Sequence, residues 1–325
     1  MSRYARQIVL PEVGAAGQER LRAAHALVVG AGGLGVPVLT YLAGAGVGRI
    51  TVVDPDRVER GNLHRQTIYG EASLGRPKAE AAAAVLADLN PEVAVTPLVA
   101  RLDPGNADGL VAGADVVLDC ADSFAASYML SDTCLAAGRP FLTASALGLG
   151  GYAGGFCGGA PSLRAVFPDL PERAASCATA GVLGPVVGLL GALQAQMALG
   201  LLLGIAPSPL GQMVSFEAPG LRFSGFRFDA APEPERALRF LAPAEITGDD
   251  FLVDLRGPDE APVPVAPHAR RMAVETILDG PLPAPGQRAV LACRSGLRAW
   301  AAARRLERVW TGPILLVAMG DPQPA

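Results

Sequence analysis

Four glycines near the start of the chain have the spacing of a phosphate-binding loop. Gly30, Gly32 and Gly35 fit the pattern GxGxxG, and Gly33 adds a glycine between them. Glycine lets a backbone approach a phosphate closely, and a following helix supplies free N–H groups and the positive end of its dipole. Asp54 ends the next apolar run, where a carboxylate accepts hydrogen bonds from a ribose. These residues predict a nucleotide site that would suit NAD as well as ATP.

Three further polar residues favour ATP over NAD. Asn62, Arg65 and Lys78 follow Asp54 along the chain. A redox dinucleotide has little need for such a cluster, whereas a triphosphate needs its negative charges held and its leaving pyrophosphate stabilised. Each residue alone could be an ordinary polar loop residue, but their order behind a glycine loop indicates a triphosphate site.

Asp119 and Asp122 lie where a predicted buried strand, residues 114–120, ends. Ligands of open α/β sheets bind at the carboxyl ends of the strands. A carboxylate at this edge can hold the Mg²⁺ that accompanies ATP. The pair therefore predicts a magnesium ligand beside the nucleotide.

The elements that must position these residues alternate along the chain. Short apolar runs predict strands, and longer alanine- or leucine-rich segments predict helices. Strands are expected at residues 25–30, 49–54, 93–98, 114–120 and 139–145, and helices at 34–45, 77–90 and 123–138. This alternation predicts an α/β fold with a Rossmann-like, doubly wound, mostly parallel sheet covered on both faces.

A segment rich in proline and charge, residues 229–236, interrupts the alternation. Beyond it, strands are expected at 251–255, 288–293 and 313–318, and a helix at 297–306. They predict a second, smaller α/β domain. We expect a nucleotide-binding domain at residues 1–228, a linker at 229–242 and the second domain at 243–325.

Composition narrows the class of protein. The 325 residues are 50% hydrophobic and 18% charged with a net charge of −4, which predicts a large core and argues against a nucleic-acid partner. The five scattered cysteines are typical of the reducing cytoplasm, which is the location we expect. Residues 181–206 are long and apolar enough to cross a membrane. Pro185, Gln194, Gln196 and the missing charged flanks favour a buried helix, so no membrane association is expected.

The order of these motifs resembles the ThiF/MoeB/HesA family of sulfur-carrier adenylyltransferases, which are relatives of ubiquitin-activating enzymes. The resemblance covers residues 3 to about 223. It is carried by RYARQI and LPE (3–12), GAGGLG (30–35), VVDPD (52–56), NLHRQ (62–66), GRPK (75–78), DCADSF (119–124) and SCATAGVLGPVVG (176–188).

The resemblance implies roles for residues within these motifs. Asp54 would bind the ribose, Asp122 would bind Mg²⁺, and Arg6 would reach the ATP of the neighbouring subunit, which implies a homodimer. Together with the glycine loop, the nucleotide ligands would be Asp56, Asn62, Arg65, Gln66 and Lys78. The catalytic residues would be Arg6, Arg65, Lys78 and Asp122.

The implied reaction joins ATP to a protein. The C-terminal glycine carboxylate of a small ubiquitin-like sulfur carrier ending in Gly-Gly attacks the α-phosphate, giving an acyl-adenylate and pyrophosphate. Since a carboxylate is already a nucleophile, positioning and charge neutralisation carry the catalysis. The segment 176–188 and the missing zinc pairs favour a ThiS-like carrier of thiamine thiazole synthesis, with a MoaD-like carrier of molybdopterin synthesis as the alternative. An NAD-dependent oxidoreductase and a non-catalytic carrier-binding adaptor are alternatives of another class.

Zinc is not expected, although members of this family often carry two CxxC pairs that hold a structural zinc ion. The first pair would fall near residues 162–165, which read SLRA, and no CxxC occurs elsewhere in the chain. A structural zinc site needs four nitrogen or sulfur ligands. Hydrophobic packing would have to hold that lobe instead.

Two cysteines are candidates for a sulfur-transfer step. Cys177 matches a cysteine that in some relatives becomes linked to the carrier. Cys293 begins CRSGLR (293–298), a strand-to-helix turn whose backbone N–H groups and two arginines would favour a thiolate or persulfide. Residues 245–320 resemble a rhodanese domain, in which such a cysteine carries a persulfide, with a cysteine desulfurase as sulfur donor. An inactive domain kept for docking is the alternative.

Overall fold

The computed structural model describes residues 3–170 and 181–320, and its larger sheet has eight strands. They are β1 (His25–Val29), β2 (Arg49–Val53), β3 (Ala94–Leu98), β4 (Val116–Asp119), β5 (Pro140–Leu147), β6 (Gly150–Cys157), β7 (Gln212–Glu217) and β8 (Arg222–Arg227). Their order in space is β3-β2-β1-β4-β5-β6-β7-β8. The strands from β3 to β5 in that order are parallel, and those from β5 to β8 are antiparallel. The predicted mostly parallel, doubly wound sheet is confirmed.

Helices cover both faces of this sheet. In the described residues of the first unit they are α1 (Ala5–Ile8), α2 (Gly14–Ala23), α3 (Gly35–Ala45), α4 (Lys78–Leu89), α5 (Pro104–Ala112), α6 (Phe124–Ala137), α7 (Leu163–Val166) and α8 (Gly184–Leu203). Helices α3, α4 and α8 share one hydrophobic cluster, and α5 and α6 belong to another. In β1, Ala26 and Val28 belong to the first cluster, whereas Leu27 and Val29 belong to the second. Successive strand residues point to opposite faces, so a continuous apolar run suits a sheet buried on both sides.

Helix α8 is the segment whose composition suggested a membrane span. Among the described residues, α8 is the one helix that is long and apolar enough to cross a membrane. Half of its apolar stretch is buried inside the protein. It packs against α3, β5 and β6. Gln194 is fully buried there, and its Nε2 donates to the carbonyl oxygens of Asp119 (2.8 Å) and Leu142 (3.0 Å). The polar residue is therefore paired within the protein core, which is the buried-helix arrangement expected from the sequence.

The second unit is built on a five-stranded sheet. Its strands are β9 (Arg239–Phe240), β10 (Phe251–Asp254), β11 (Arg270–Arg271), β12 (Ala289–Cys293) and β13 (Ile314–Ala318), and its helix is α9 (Leu297–Leu306). The order β11-β10-β12-β13-β9 is parallel throughout. Strand β9 comes from the segment expected to be a linker, so the end of that segment is part of the second sheet.

The two units share a hydrophobic core. One cluster of buried side chains contains Leu27 and Leu130 of the first unit together with Leu291 and Trp300 of the second. The second unit is therefore packed onto the α5–α6 face of the first sheet, because burying apolar surface between them is favourable.

Candidate functional site

The glycine loop joins β1 to α3 and approaches the end of β4 very closely. Gly30 has a φ of +100°, and a Cβ there would lie 2.6 Å from the carbonyl oxygen of Cys120. A Cβ at Gly35 would collide with the carbonyl oxygen of Gly30. Residues with side chains are excluded at both positions, so the turn stays tight and its backbone stays open at the carboxyl edge of the sheet.

Asp54 follows β2 and holds this loop. Its Oδ2 accepts a hydrogen bond from the amide of Ala31 (2.7 Å), and its Oδ1 accepts one from the amide of Asp56 (2.8 Å). Burial raises the pKa of Asp54, and the nearby positive charge of Lys78 opposes that rise. Because each carboxylate oxygen has a second lone pair, Asp54 can still accept hydrogen bonds from a ribose.

Lys78 begins α4 and lies beside the same carboxylates. Its Nζ is 2.9 Å from Oδ2 of Asp56, and its side chain is almost fully buried. Its amide also donates to the carbonyl oxygen of Asp56 (2.8 Å). The structure thus brings the predicted residues Asp54, Asp56 and Lys78 together, with a buried ammonium group next to the glycine loop.

The segment of Asn62, Arg65 and Gln66 packs against the other side of the loop. Nη2 of Arg65 donates to Oδ1 of Asn62 (2.8 Å), and the Arg65 stem lies 3.5 Å from where a Cβ of Gly33 would be. Gln66 is buried, with its Nε2 3.5 Å from the corresponding position at Gly32, and its Oε1 has no hydrogen-bond partner. A buried acceptor without a partner needs a donor, which a bound ligand can supply.

Tyr69 is a site residue that sequence reasoning missed. Its buried hydroxyl lies 2.9 Å from the carbonyl oxygen of Ala31 and 3.2 Å from that of Lys78. It therefore connects the glycine loop to the first residue of α4. A tyrosine three residues beyond Gln66 carries no sequence signal of this kind, because the contact depends on how two loops meet.

The two aspartates at the end of β4 differ in environment. Asp119 is fully buried and accepts hydrogen bonds from Thr143 Oγ1 (2.8 Å) and the amide of Ala121 (3.1 Å). Burial raises its pKa to about 6, although hydrogen bonds from Ser127 and Thr143 oppose the rise. Asp122 is exposed beyond the strand end. Of the two carboxylates, only Asp122 is exposed to solvent, and its expected role as a Mg²⁺ ligand stays a prediction.

Comparison with known proteins decides the family to which this site belongs. A protein-family model with the description "ThiF family" matches residues 4–237 of this chain. The chain belongs to the ThiF family. The adenylyltransferase and sulfurtransferase MOCS3 of Bos taurus is 49% identical over 219 residues, which are 66% of this chain and 48% of that protein. This chain therefore spans about half the length of that curated relative.

Two further comparisons bear on the first unit. The SAMP-activating enzyme E1 of Haloferax volcanii is 41% identical over 235 residues, covering 72% of this chain and 87% of that protein. The crystal structure of E. coli MccB with ATP has a TM-score of 0.62 at 22% identity and covers 71% of this chain and 72% of that one. The structural likeness shows that this member of the ThiF family shares the fold of MccB.

Arg6 lies far from the glycine loop of its own chain. It is exposed on α1, and the neighbouring Gln7 donates to the carbonyl oxygen of Ala45 (2.8 Å) at the last residue of α3. The glycine loop lies at the other end of α3, and an 11-residue helix is about 16 Å long. This placement puts α1 at the end of α3 opposite to the glycine loop, and the expected role of Arg6 at a neighbouring subunit stays a prediction.

The segment where other ThiF family members were expected to carry zinc ligands forms α7. Ser162 caps this short helix, with its Oγ 3.3 Å from the amide of Ala165. Within residues 3–170 and 181–320, no group of three or more His, Cys, Asp or Glu side chains could hold a metal ion. The expectation that zinc is not used stays a prediction.

Of the two candidate cysteines, the structure describes only Cys293. Cys177 lies outside the described residues. Cys293 ends β12 with no solvent exposure, and its Sγ accepts hydrogen bonds from the amides of Gly296 (3.1 Å) and Ala299 (3.4 Å). The expected N–H groups around the sulfur are present. Arg298, however, directs its guanidinium to Glu260 and to the carbonyl oxygen of Leu255.

Proposed function

We propose that this chain uses ATP to adenylate the C-terminal glycine of a small ubiquitin-like sulfur carrier. The observation that carries the proposal is the meeting of three segments at one edge of the first sheet. They are the glycine loop, the turn with Asn62, Arg65 and Gln66, and the start of α4 with Lys78. Two cationic side chains around open backbone N–H groups suit a polyphosphate better than a neutral ligand.

The residues present fit ATP with Mg²⁺. Asp54 and the unpartnered Oε1 of Gln66 would hold the nucleoside, and Arg65 and Lys78 would hold the phosphates. Mg²⁺ is usually bound by one or two carboxylates together with substrate phosphates and waters, so the exposed Asp122 suffices. Asp119 is already engaged by Thr143 and the amide of Ala121.

The chemistry requires little more than positioning. The carboxylate of the carrier would attack the α-phosphate, and pyrophosphate would leave as the acyl-adenylate forms. Arg65 and Lys78 would offset the charge that builds on the leaving pyrophosphate, and fixed cations in a partly buried site do this without reorganisation. No side chain needs to remove a proton from the carboxylate.

The protein nature of the substrate is supported by the relatives. One is named as an adenylyltransferase and sulfurtransferase, and another as a SAMP-activating enzyme E1. The bovine relative MOCS3 supports the MoaD-like carrier of molybdopterin synthesis, and neither relative supports the ThiS-like carrier that the sequence favoured. We therefore propose the class of carrier with a MoaD-like member first, and the two pathways become outcomes of the experiment.

The exposed position of Arg6 supports a homodimer in which each α1 reaches the other subunit's site. An exposed arginine at the opposite end of α3 from its own glycine loop is placed to contact ATP across an interface between copies. The expected mass of such a dimer is twice that of the 33.3 kDa chain, and light scattering measures it directly.

Sulfur transfer at Cys293 is the second candidate function. The observation that favours it is the pair of backbone N–H groups at 3.1 and 3.4 Å from Sγ, since such donors stabilise a thiolate or persulfide. The name of the bovine relative includes sulfurtransferase. Thiosulfate loads a cysteine persulfide and leaves as sulfite, and dithiothreitol then reduces the persulfide to sulfide and becomes a disulfide. Sulfide release in this assay, compared with Cys293→Ser, tests this function independently of ATP.

Exchange of labelled pyrophosphate into ATP tests the adenylation proposal. The full chain is mixed with ATP, Mg²⁺ and either a ThiS-like or a MoaD-like carrier, and each carrier is matched by a form lacking its last glycine. We expect exchange with an intact carrier and none with the truncated form. Absence of exchange with every intact carrier, in protein that still gains thermal stability from ATP and Mg²⁺, would contradict the proposal.

A further inference from the structure

Arg164 lies on α7, in the segment where zinc-binding cysteines were expected, and it is buried with 4% exposure. Its Nε and Nη2 bind the two carboxylate oxygens of Asp132 at 2.6 and 2.9 Å. Nη2 also donates to the carbonyl oxygen of Leu238 (2.8 Å), at the start of the second unit. A buried arginine is stable only when its charge is paired. Here the ion pair with Asp132 lies within the first unit, and the hydrogen bond to Leu238 reaches the second.

The same guanidinium lies over two aromatic rings from different units. Its Cζ is 4.8 Å from the ring centre of Tyr128 on α6 and 5.5 Å from that of Trp300 on α9. The two rings meet edge to face with centroids 5.7 Å apart. Cation–π and edge-to-face contacts of this kind are favourable and directional. Arg164, Asp132, Tyr128 and Trp300 are called the arginine clamp below.

The segment before the second unit is held at the same place. The amide of Ser162 donates to Glu233 (2.7 Å), and its hydroxyl donates to the other carboxylate oxygen of Glu233 (2.6 Å). Glu233 belongs to the charged, proline-rich stretch predicted as a linker. The α7 segment therefore binds both the connection to the second unit and the unit itself.

Docking in this position places α6 against Gly296 in the turn that follows Cys293, while Arg294 and Ser295 stay exposed. A Cβ at Gly296 would lie 2.8 Å from the Phe240 ring and 3.3 Å from the Cβ of Ala125, the latter on α6 of the first unit. Cys293 itself has no exposure and shares its hydrophobic cluster with side chains of α6. A thiolate must be accessible to react, so this arrangement is closed to a sulfur donor or acceptor.

We propose that the arginine clamp is a releasable docking site that holds the second unit closed, and that Cys293 becomes reactive when the clamp opens. The surface of the first unit around α6 and α7 is then an interaction site for this chain's own second unit. The proposal rests on packing and hydrogen bonding alone, so it stands whether or not the chain adenylates a carrier.

Alkylation of Cys293 in the folded full chain measures the opening. Native protein is treated with iodoacetamide, and the labelled fraction of each cysteine peptide is followed by mass spectrometry. We expect Arg164→Ala to raise the alkylation rate of Cys293 at least tenfold. Asp132→Asn keeps the side-chain volume and weakens the pair, so it should raise the rate by a smaller factor of about threefold.

Arg288→Ala is the matched control within the second unit. Arg288 makes a similar two-bonded pair with Asp250, at 2.7 and 2.8 Å, and none of its hydrogen bonds reaches the first unit. Its removal should leave the Cys293 rate within twofold of the parent. The fully buried Cys134 of the first unit reports general unfolding in the same digest.

The outcomes are distinct. Selective labelling of Cys293 in the two clamp variants supports the proposal. An unchanged Cys293 rate in both would overturn it, because burial of the thiol would then be intrinsic to the second unit. Equal acceleration at Cys134 and Cys293 in both variants would also overturn it, because the clamp would then hold the whole fold together.

Discussion

The hydroxyl of Tyr69 lies 2.9 Å from the carbonyl oxygen of Ala31, so a side chain outside the glycine loop helps to fix the position of that loop. The same hydroxyl lies 3.2 Å from the carbonyl oxygen of Lys78. The buried Tyr69 hydroxyl thus contacts both the glycine loop and Lys78, the residue whose ammonium group is expected to contact the phosphates. The distance between the glycine loop and Lys78 therefore depends on tertiary structure rather than on either sequence motif.

Tyr69→Phe should therefore weaken ATP binding more than it slows the chemistry. Loss of one buried hydrogen bond costs about 1 kcal/mol, which corresponds to a roughly fivefold higher KM for ATP. Pyrophosphate exchange at varied ATP gives KM and kcat separately. Tyr41→Phe, at an exposed tyrosine, is the control. A lower Tm with an unchanged KM would show that Tyr69 is only structural.

Two glycines within α3, one at each end, should respond oppositely to substitution by alanine. At Gly35 a Cβ collides with the carbonyl oxygen of Gly30, whereas at Gly44 nothing lies within 4 Å. Gly44→Ala should raise the free energy of unfolding by about 0.5–1 kcal/mol, since alanine is the better helix former. Gly35→Ala should lower it by at least about 2 kcal/mol, since backbone must move. Urea unfolding measures both, and equal effects would contradict the close packing of the loop.

Asp119 should make stability fall as the pH rises. Its pKa of about 6 in the folded protein exceeds the ordinary 3.8, so the folded state binds more protons between these values. Stability from this group is fully present below about pH 4 and is lost as the pH passes 6. The full difference corresponds to about 3 kcal/mol.

Urea unfolding between about pH 4 and pH 7 tests this linkage. Relative to Asp119→Asn, the parent protein should lose stability across that range, because the variant has no carboxyl group to ionise there. Asp88→Asn, at an exposed aspartate, should follow the parent curve. Parallel curves for the parent and Asp119→Asn would refute the assignment.

Adenylation and sulfur transfer should be lost in different variants of the protein. Arg65→Ala and Asp122→Ala should reduce pyrophosphate exchange by about a hundredfold or more, since the first removes a positive charge from the transition state and the second removes the proposed ligand of Mg²⁺. Cys293→Ala should leave exchange intact, because its sulfur is buried in the second unit. Arg49→Ala, at the exposed start of β2, controls for loss of a surface cation. Strong loss of exchange in Cys293→Ala would show that the two chemistries are coupled.

Much of the first sheet could be predicted from local pattern. Residues 25–30 and 49–54 were expected as strands, and the structure has them at His25–Val29 and Arg49–Val53. A continuous apolar run has nowhere stable to lie except in a sheet covered on both faces, so its pattern is informative without tertiary detail. The glycine loop was equally clear, because only glycine tolerates its φ and its close approaches.

The burial and hydrogen bonding of individual site residues could not be predicted from the sequence. Asp119 and Asp122 are equally acidic in the chain, but one is fully buried and hydrogen-bonded while the other is exposed. The difference arises from Thr143 on the neighbouring strand, which meets Asp119 only when β4 and β5 pair. The sequence pattern does not predict such a contact between residues of two strands.

The sequence by itself determined a glycine loop between a strand and a helix and a mostly parallel α/β sheet, because these depend on residue type and short spacing. It also predicts that cations beside this loop bind ATP. Only the tertiary structure decided that Tyr69 links the loop to Lys78 and that Arg164 joins the two units. It also decided that Cys293 is fully buried, with its Sγ bound by the amides of Gly296 and Ala299. Contacts between distant segments follow from how the elements pack, and a linear pattern does not specify that packing.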